Sequence, residues 1–351
     1  MSAQFTSLDS SATAWIALAS AQRVSPKLWL QALEQHQCSP IELLSQASSL
    51  GSAVTTLTEQ ITQKHIDTAL NWAKASENRH VITLDSPDYP PLLKQLDSPP
   101  LVLFATGSKA LLKQPQIAIV GSRRASIQGK RIATDFAMGL SNNGIAITSG
   151  LAMGIDSAAH VGAISGSIGT IAVMGTGPDK IYPAKNSKLY NEIHDSGGVS
   201  VTEFFPEQGP KPWHFPRRNR IIAALSLGTL VVEAKIKSGT LITANLAADM
   251  GRDVFAVPGS LFHAYSEGCH WLIQQGAKLV TNVNDILLEI GVQPQQMSFD
   301  VGEQNEKSAV NSLATDKLLA SVEYDITAID VIAQRNALSV SQAMASLLEY
   351  E

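Results

Sequence analysis

The sequence predicts an α/β protein built on a doubly wound, mostly parallel sheet, with a helical domain before it and a short helical unit after it. Three observations carry that prediction. From about residue 115 to 290, short continuous apolar runs alternate with stretches of helical periodicity, the pattern of strands buried on both faces and joined by crossover helices. Glycine follows several of these runs, where a strand turns into the next helix. On either side of the block, proline-rich or polar stretches mark the junctions.

Taken in order, residues 1–80 read as a small all-α domain. Trp15–Ala19, Leu28–Leu33 and Ile61–Ile66 repeat apolar residues at helical spacing. Ser25-Pro26 and Ser39-Pro40 each place proline at a first helical position. Residues 81–114 read as a connector, because the prolines of Asp85–Pro91 and Asp97–Pro100 exclude a regular helix. The core, 115–290, carries expected strands at Ile117–Val120, Ile145–Thr148, Thr170–Met174, Val199–Thr202, Thr229–Glu233, Asp253–Val257 and Lys278–Val280. Residues 291–314 are polar and aperiodic and read as a linker. Residues 315–351 predict three short helices, Asp316–Val322, Ala328–Asn336 and Ser339–Glu349, a partial winged-helix-like unit without its wing.

The chain of 351 residues is 44% hydrophobic and 16% charged, enough to bury a sizeable core. Its net charge of −5 argues against coating nucleic acid by bulk charge, so any such site is a local basic patch. Cys38 and Cys269 show no metal-ligand spacing and point to a reducing compartment. Met1 to Ser20 lacks the pattern of a signal peptide, and no apolar stretch reaches the roughly 18 residues of a membrane span. The expectation is a cytoplasmic protein with no membrane contact.

Ligands of doubly wound sheets bind at the carboxyl ends of the strands. Four strand ends here carry glycine: Gly121-Ser122-Arg123-Arg124, Ser149–Asp156, Gly175-Thr176-Gly177, and Lys235–Ala244 with Ser238-Gly239-Thr240. Glycine lets backbone N–H groups approach an anion, and a helix start adds unpaired donors. Ser122, Ser238 and Thr240 add hydroxyls, and Arg123 can grip a phosphate. The alternative is that these glycines only make tight turns. Neither the dinucleotide fingerprint G-x-G-x-x-G nor a P-loop is present, so no nucleotide cofactor is expected.

The run Trp213-His214-Phe215-Pro216-Arg217-Arg218-Asn219-Arg220 is expected to precede an apolar helix that begins at Ile221–Leu225. Aromatic rings interleaved with arginine suit a single strand, with phosphates on guanidinium groups and bases on rings. The alternative is a solvated basic turn, or arginines paired with internal carboxylates such as Glu203 and Glu233. Catalysis has little support. Asp156 and His160 share a helix face, as in a cap or core hydrogen bond, and Glu233 is the best acid or base but lacks a nucleophile. No metal constellation is present.

Together, Ile119–Arg123, Ser149–Asp156 with Ala159-His160, Gly175–Gly177 through Ile181-Tyr182-Pro183 and Asn186, Phe215–Ile222, and Ser238–Thr240 through Phe255–Gly259 resemble the DNA-processing protein A (DprA/Smf) family. The resemblance spans the core in order. It implies an extended Rossmann-like core that binds single-stranded DNA, dimerises, and loads the RecA recombinase during natural transformation, without catalysis. It further implies that Gly121, Ser122 and Arg123 hold a phosphate, that Phe215 stacks on a base, and that Arg217, Arg218 and Arg220 line the strand beside Asn219. Ser238, Gly239 and Thr240 then cap the site, with Lys235 and Lys237 nearby. It also implies a sterile-alpha-motif-like fold for residues 1–80. Ser266–Ile273 is a candidate for self-association or RecA contact. The competing reading is a nucleotide-hydrolysing enzyme of the lysine-decarboxylase-like group, whose Pro-Gly-Gly-x-Gly-Thr loop does not occur in this sequence.

Overall fold

The computed structural model describes residues 10–21, 23–292 and 328–348. The chain divides into two compact units, Met1–Gln295 and Gln296–Glu351. The first opens with helices α1 (Ser10–Ser20), α2 (Pro26–His36), α3 (Pro40–Ser45), α4 (Ser52–Thr58) and α5 (Gln63–Lys74). Pro26 and Pro40 stand at helix starts, as their spacing predicts. At α3 the Ser39 N–H donates to the Glu42 carboxylate at 2.8 Å, and the Glu42 N–H donates to Ser39 Oγ at 3.3 Å, closing a capping box.

Seven strands match the sequence pattern: β3 (Gln116–Val120), β4 (Ala146–Ser149), β5 (Thr170–Val173), β6 (Val199–Thr202), β7 (Gly228–Val231), β8 (Asp253–Ala256) and β9 (Lys278–Leu279). The stretch 81–114 departs from the connector expected of it. It carries most of β1 (Arg79–Thr83) and all of β2 (Val102–Gly107), with a one-turn helix α6 (Pro91–Lys94) between them. The prolines punctuate the loop around two apolar runs rather than dissolving all structure. β1 pairs antiparallel with β2, and β2 antiparallel with β6. The nine-stranded sheet has the order β1-β2-β6-β5-β4-β3-β7-β8-β9.

Helices α7 (Ile127–Asn142), α8 (Ile155–Ile164), α9 (Ser187–Asp195), α10 (His214–Leu225), α11 (Gly239–Asp249), α12 (Glu267–Gln274) and α13 (Val283–Glu289) complete the unit. The alternation of β3 shows how both faces are covered. Ile117 and Ile119 join a core with Phe136, Ala137 and Leu140 of α7 and Ala159 of α8. Ala118 and Val120 join the opposite core, with Ile221 and Ile222 of α10 and Leu241 and Ala244 of α11. Fully burying each such isoleucine contributes about 1.5–3 kcal/mol. The helices α1–α5 share this second core: Trp72 meets Phe104 of β2 edge-on at 5.6 Å, and Phe104 meets Phe205 at 5.1 Å.

β3 lies between β4 and β7, both parallel to it, so the chain reverses its winding direction at the β3–β7 boundary. That switch point opens a crevice at the carboxyl ends of the two strands.

In the second unit, helices Ile329–Arg335 and Val340–Leu348 agree with two of the three expected there, and bury Ile332, Ala333 and Ala343. The expected helix Asp316–Val322 and the linker beyond residue 292 lie outside the described residues.

Candidate nucleic-acid interface

At the switch point a groove of about 850 Å³ opens between the loops after β3 and β7, with α10 as its wall. Ten of the twelve site residues expected from sequence line it: Gly121, Ser122, Arg123, Phe215, Arg218, Asn219, Lys235, Ser238, Gly239 and Thr240. Arg217 and Arg220 do not.

The reason is helical geometry. The arginine run does not precede the helix but forms the first turns of α10. Phe215, Arg218, Asn219 and Ile222 follow at i, i+3, i+4 and i+7 and face the groove. Trp213, Arg217 and Arg220 form the opposite stripe. Arg217 Nη2 reaches Glu203 Oε2 at 2.9 Å and Arg220 Nη2 reaches the same oxygen at 2.6 Å. Arg220 Nη1 also donates to the Ser98 carbonyl at 2.8 Å. Glu203 follows β6 with only 3% of its side chain exposed, so the two arginines neutralise a carboxylate inside the protein. The structure thus places these two arginines, expected along the strand, outside the groove and on Glu203.

Arg218 is the third case. It is 4% exposed, in the groove floor, and Nη1 donates to the carbonyls of Gly150 (2.5 Å) and Val173. A Cβ at Gly150 would stand 2.2 Å from Nη1, so glycine makes room for the guanidinium. Burial pulls the Arg218 pKa down to about 10, which leaves it charged at neutral pH. Beneath it, Asp156 accepts from the N–H groups of Gly150 at 3.1 Å and Ala152 at 3.4 Å. Burial raises the Asp156 pKa, against the pull of Arg218 and those two N–H donors.

The loop Ser149–Gly154 is locked from below. His160 Nε2 accepts the Leu151 N–H at 3.3 Å, and Nδ1 lies 2.7 Å from Thr170 Oγ1. Burial pushes the His160 pKa down to about 3, so the ring stays neutral. Leu151 holds φ +56°, and Gly154 holds φ +83° with no room for a Cβ, which would stand 2.2 Å from the Ser122 carbonyl. Asn186 Nδ2 donates to the Leu151 carbonyl at 2.8 Å. In the loop after β4, the glycines thus serve packing and backbone geometry, which goes beyond the tight turns of the alternative reading. After β5, too, a Cβ at Gly175 would stand 2.8 Å from the Phe215 ring.

The helices that follow β3 and β7, the strands at the switch point, start differently. At α7, the N-cap Ser126 is held by Glu233, whose carboxylate accepts both the Ser126 N–H at 2.9 Å and its hydroxyl at 2.5 Å. The best sequence candidate for an acid or base thus stabilises a helix start. At α11, the N-cap Ser238 makes no side-chain cap bond, the first turn holds no acidic residue, and the Ser238 hydroxyl lacks a partner. Asn219 Nδ2 donates to the Gly239 carbonyl at 3.3 Å and ties this helix start to α10. Its N–H groups remain the donors a bound anion can use.

The groove's exposed charge is one-sided. Arg123 lies 5.6 Å over the Phe215 ring and Lys235 lies 5.0 Å over Tyr265. Among the described residues no carboxylate lies within ion-pair distance of Arg123, Lys211, Lys235 or Lys237, all exposed (compare the ten pairs elsewhere). Tyr182 joins the Phe215 ring at 5.4 Å. Ser122 is less free than expected: its N–H donates to the Glu233 carbonyl at 2.7 Å, and its hydroxyl accepts from the Arg124 N–H at 3.1 Å. Sequence reasoning passed over Lys211 and Tyr265 as site residues. The strand-end rule already used for four loops, carried on to β8, places Tyr265 at this edge.

A doubly wound sheet whose switch point opens into a cation-lined, aromatic-walled groove defines a Rossmann-like protein with a groove of the kind that suits an anionic ligand. Residues 80–291 match the family described as DNA recombination-mediator protein A, and the chain belongs to that family. Protein Smf of Escherichia coli K12 is 40% identical over 296 residues, 82% of this chain and 78% of its own length. The DNA processing protein DprA of Streptococcus pneumoniae R6 is 48% identical over 201 residues, 57% of this chain and 71% of its own. The X-ray structure of the S. pneumoniae protein superposes with a TM-score of 0.68 at 38% identity, covering 79% of this chain and 97% of that one. DNA processing protein A from Helicobacter pylori, described for its single-stranded DNA binding mode, superposes with a TM-score of 0.55 at 29% identity, covering 60% of this chain and 95% of that one.

Proposed function

We propose that this protein binds single-stranded DNA in the switch-point groove and helps load RecA recombinase onto it in recombination and natural transformation, as a cytoplasmic homodimer without a catalytic step. The observation that carries the reading is the set of uncompensated cations beside half-buried rings: Arg123 over Phe215, and Lys235 over Tyr265. Arg123, Lys235 and Lys237 meet phosphates, with Gly121 and Ser122 shaping the Arg123 loop. Ser238, Gly239 and Thr240 offer the donors of the α11 start. Phe215 offers a base its ring face. Arg218 and Asn219 build the floor, and Arg217 and Arg220 hold α10 against Glu203. Nucleotide hydrolysis is the weaker reading, since Glu233 is engaged with Ser126.

Titration of fluorescent oligo-dT at two salt concentrations tests the reading. Binding weakens steeply with salt. Arg123→Ala weakens it about tenfold or more, the scale of a charge-assisted hydrogen bond, with an unchanged melting temperature. Equal affinity of Arg123→Ala and wild type sinks the assignment. Release of free base from nucleoside monophosphates, abolished by Glu233→Gln, would favour the enzyme instead.

A further inference from the structure

The loop between β8 and α12 presents a feature the groove does not use. Its base is pinned: the Ala234 N–H donates to the Tyr265 carbonyl at 2.7 Å, and the Gly268 N–H donates to the Ala234 carbonyl at 2.8 Å. Its tip is a closed turn, with the His263 N–H donating to the Ser260 carbonyl at 3.1 Å and the Phe262 N–H to Ser260 Oγ at 3.3 Å. On this ordered turn Leu261 is 84% exposed and Phe262 100% exposed, more than any other large apolar side chain among the described residues. Two adjacent apolar side chains thus stand in water on a well-bonded turn, an apolar spot that a bound partner can cover.

What surrounds the turn selects the occupant. It leaves the same carboxyl edge of the sheet as the groove loops. Tyr265, three residues beyond Phe262, already lines the groove with Lys235 above its ring, and Lys237 stands on the same rim. An aromatic face that continues a row of rings and cations suits a nucleobase better than a protein surface, since every base offers a flat face and its phosphates meet the lysines.

We propose that Phe262, flanked by Leu261, is a stacking platform for a nucleobase of single-stranded DNA lying beyond the groove, so that the β8–α12 loop lengthens the binding site. The proposal rests on the reading of the groove as a DNA site. The test uses the full chain, with wild type, Phe262→Ala, Phe262→Trp and Arg123→Ala titrated against a series of oligo-dT lengths and one abasic oligomer of the greatest length. Phe262→Ala is expected to lose about tenfold in affinity for long oligo-dT, the effect of one stacked base, with wild type and variant equal on the shortest oligomers and on the abasic one. Phe262→Trp keeps wild-type affinity, and its added emission is quenched by the long oligomer. Unchanged affinity of Phe262→Ala for long oligo-dT, or an equal loss on the abasic oligomer, overturns the platform. So does a drop in native mass for Phe262→Ala with unchanged affinity per protomer, which assigns the turn to a second copy of the chain. If only Phe262→Ala behaves as wild type, the groove reading stands and the platform falls. If Arg123→Ala does so too, both fall.

Discussion

The two faces of α10 carry the same residue types and do opposite work. On one face, Arg218 and Phe215 meet a groove whose exposed cations have no carboxylate within ion-pair distance among the described residues. On the other, Arg217 and Arg220 converge on one oxygen of the buried Glu203. All three arginines come from one short run, yet only the groove face meets cations that no carboxylate neutralises. A basic run is therefore evidence of a nucleic-acid site only after internal carboxylates have taken their share.

The comparison breaks hardest at Arg218. Arg218→Met leaves the carbonyls of Gly150 and Val173 without their donor and Asp156 buried without the charge that stabilises it. Removing one partner of a buried charge arrangement costs about 3–5 kcal/mol, so urea unfolding should show a loss of that size. A variant as stable as wild type would mean that the floor is not built on this guanidinium. Next is Glu203→Gln, which removes the negative charge shared by Arg217 and Arg220. A charge-assisted hydrogen bond contributes about 1.5–3 kcal/mol, and stability should fall by roughly that amount. Affinity for oligo-dT, measured where the variant is fully folded, should stay within about twofold, because Glu203 faces away from the groove. A tenfold gain in affinity would show that Arg217 and Arg220, once released, reach the strand.

Much of this was legible in the sequence, for physical reasons that can be named. The strands β3 to β9 are short apolar runs between helical stretches, a local signal. Glycine at strand ends located the groove's edge, because a doubly wound sheet puts its loops there. β1 and β2 were not legible. Their pairing is antiparallel and partly with β6, far along the chain, and Pro87, Pro90, Pro91, Pro99 and Pro100 hide the apolar runs they flank. The sorting of the arginines was half legible. The i, i+3, i+4 spacing of Phe215, Arg218 and Asn219 separates the faces once the helix is known to begin at His214 rather than after Arg220. The partner was not: Glu203 was one of two carboxylates named, and only the fold, which brings the residue after β6 beside α10, chooses between them.

The smallest expected effect sharpens the same contrast. Each phosphate neutralised by a free cation releases condensed counterions, which lowers the slope of log affinity against log salt by about 0.7 on a single strand. A cation already neutralised by a protein carboxylate releases none. Lys235→Ala and Lys237→Ala should therefore each flatten the slope by up to that amount and cost a few-fold in affinity at moderate salt, with stability within about 0.5 kcal/mol of wild type. Arg217→Ala should do the reverse: it removes an ion pair to Glu203, so stability falls while the slope is unchanged. Fluorescence titrations of oligo-dT over a range of salt concentrations, with urea unfolding of the same samples, read both quantities. If Arg217→Ala flattens the slope as much as Lys235→Ala does, the ion pair with Glu203 opens when the strand binds. The two faces of α10 would then be two states of one surface rather than a binding face and a structural one.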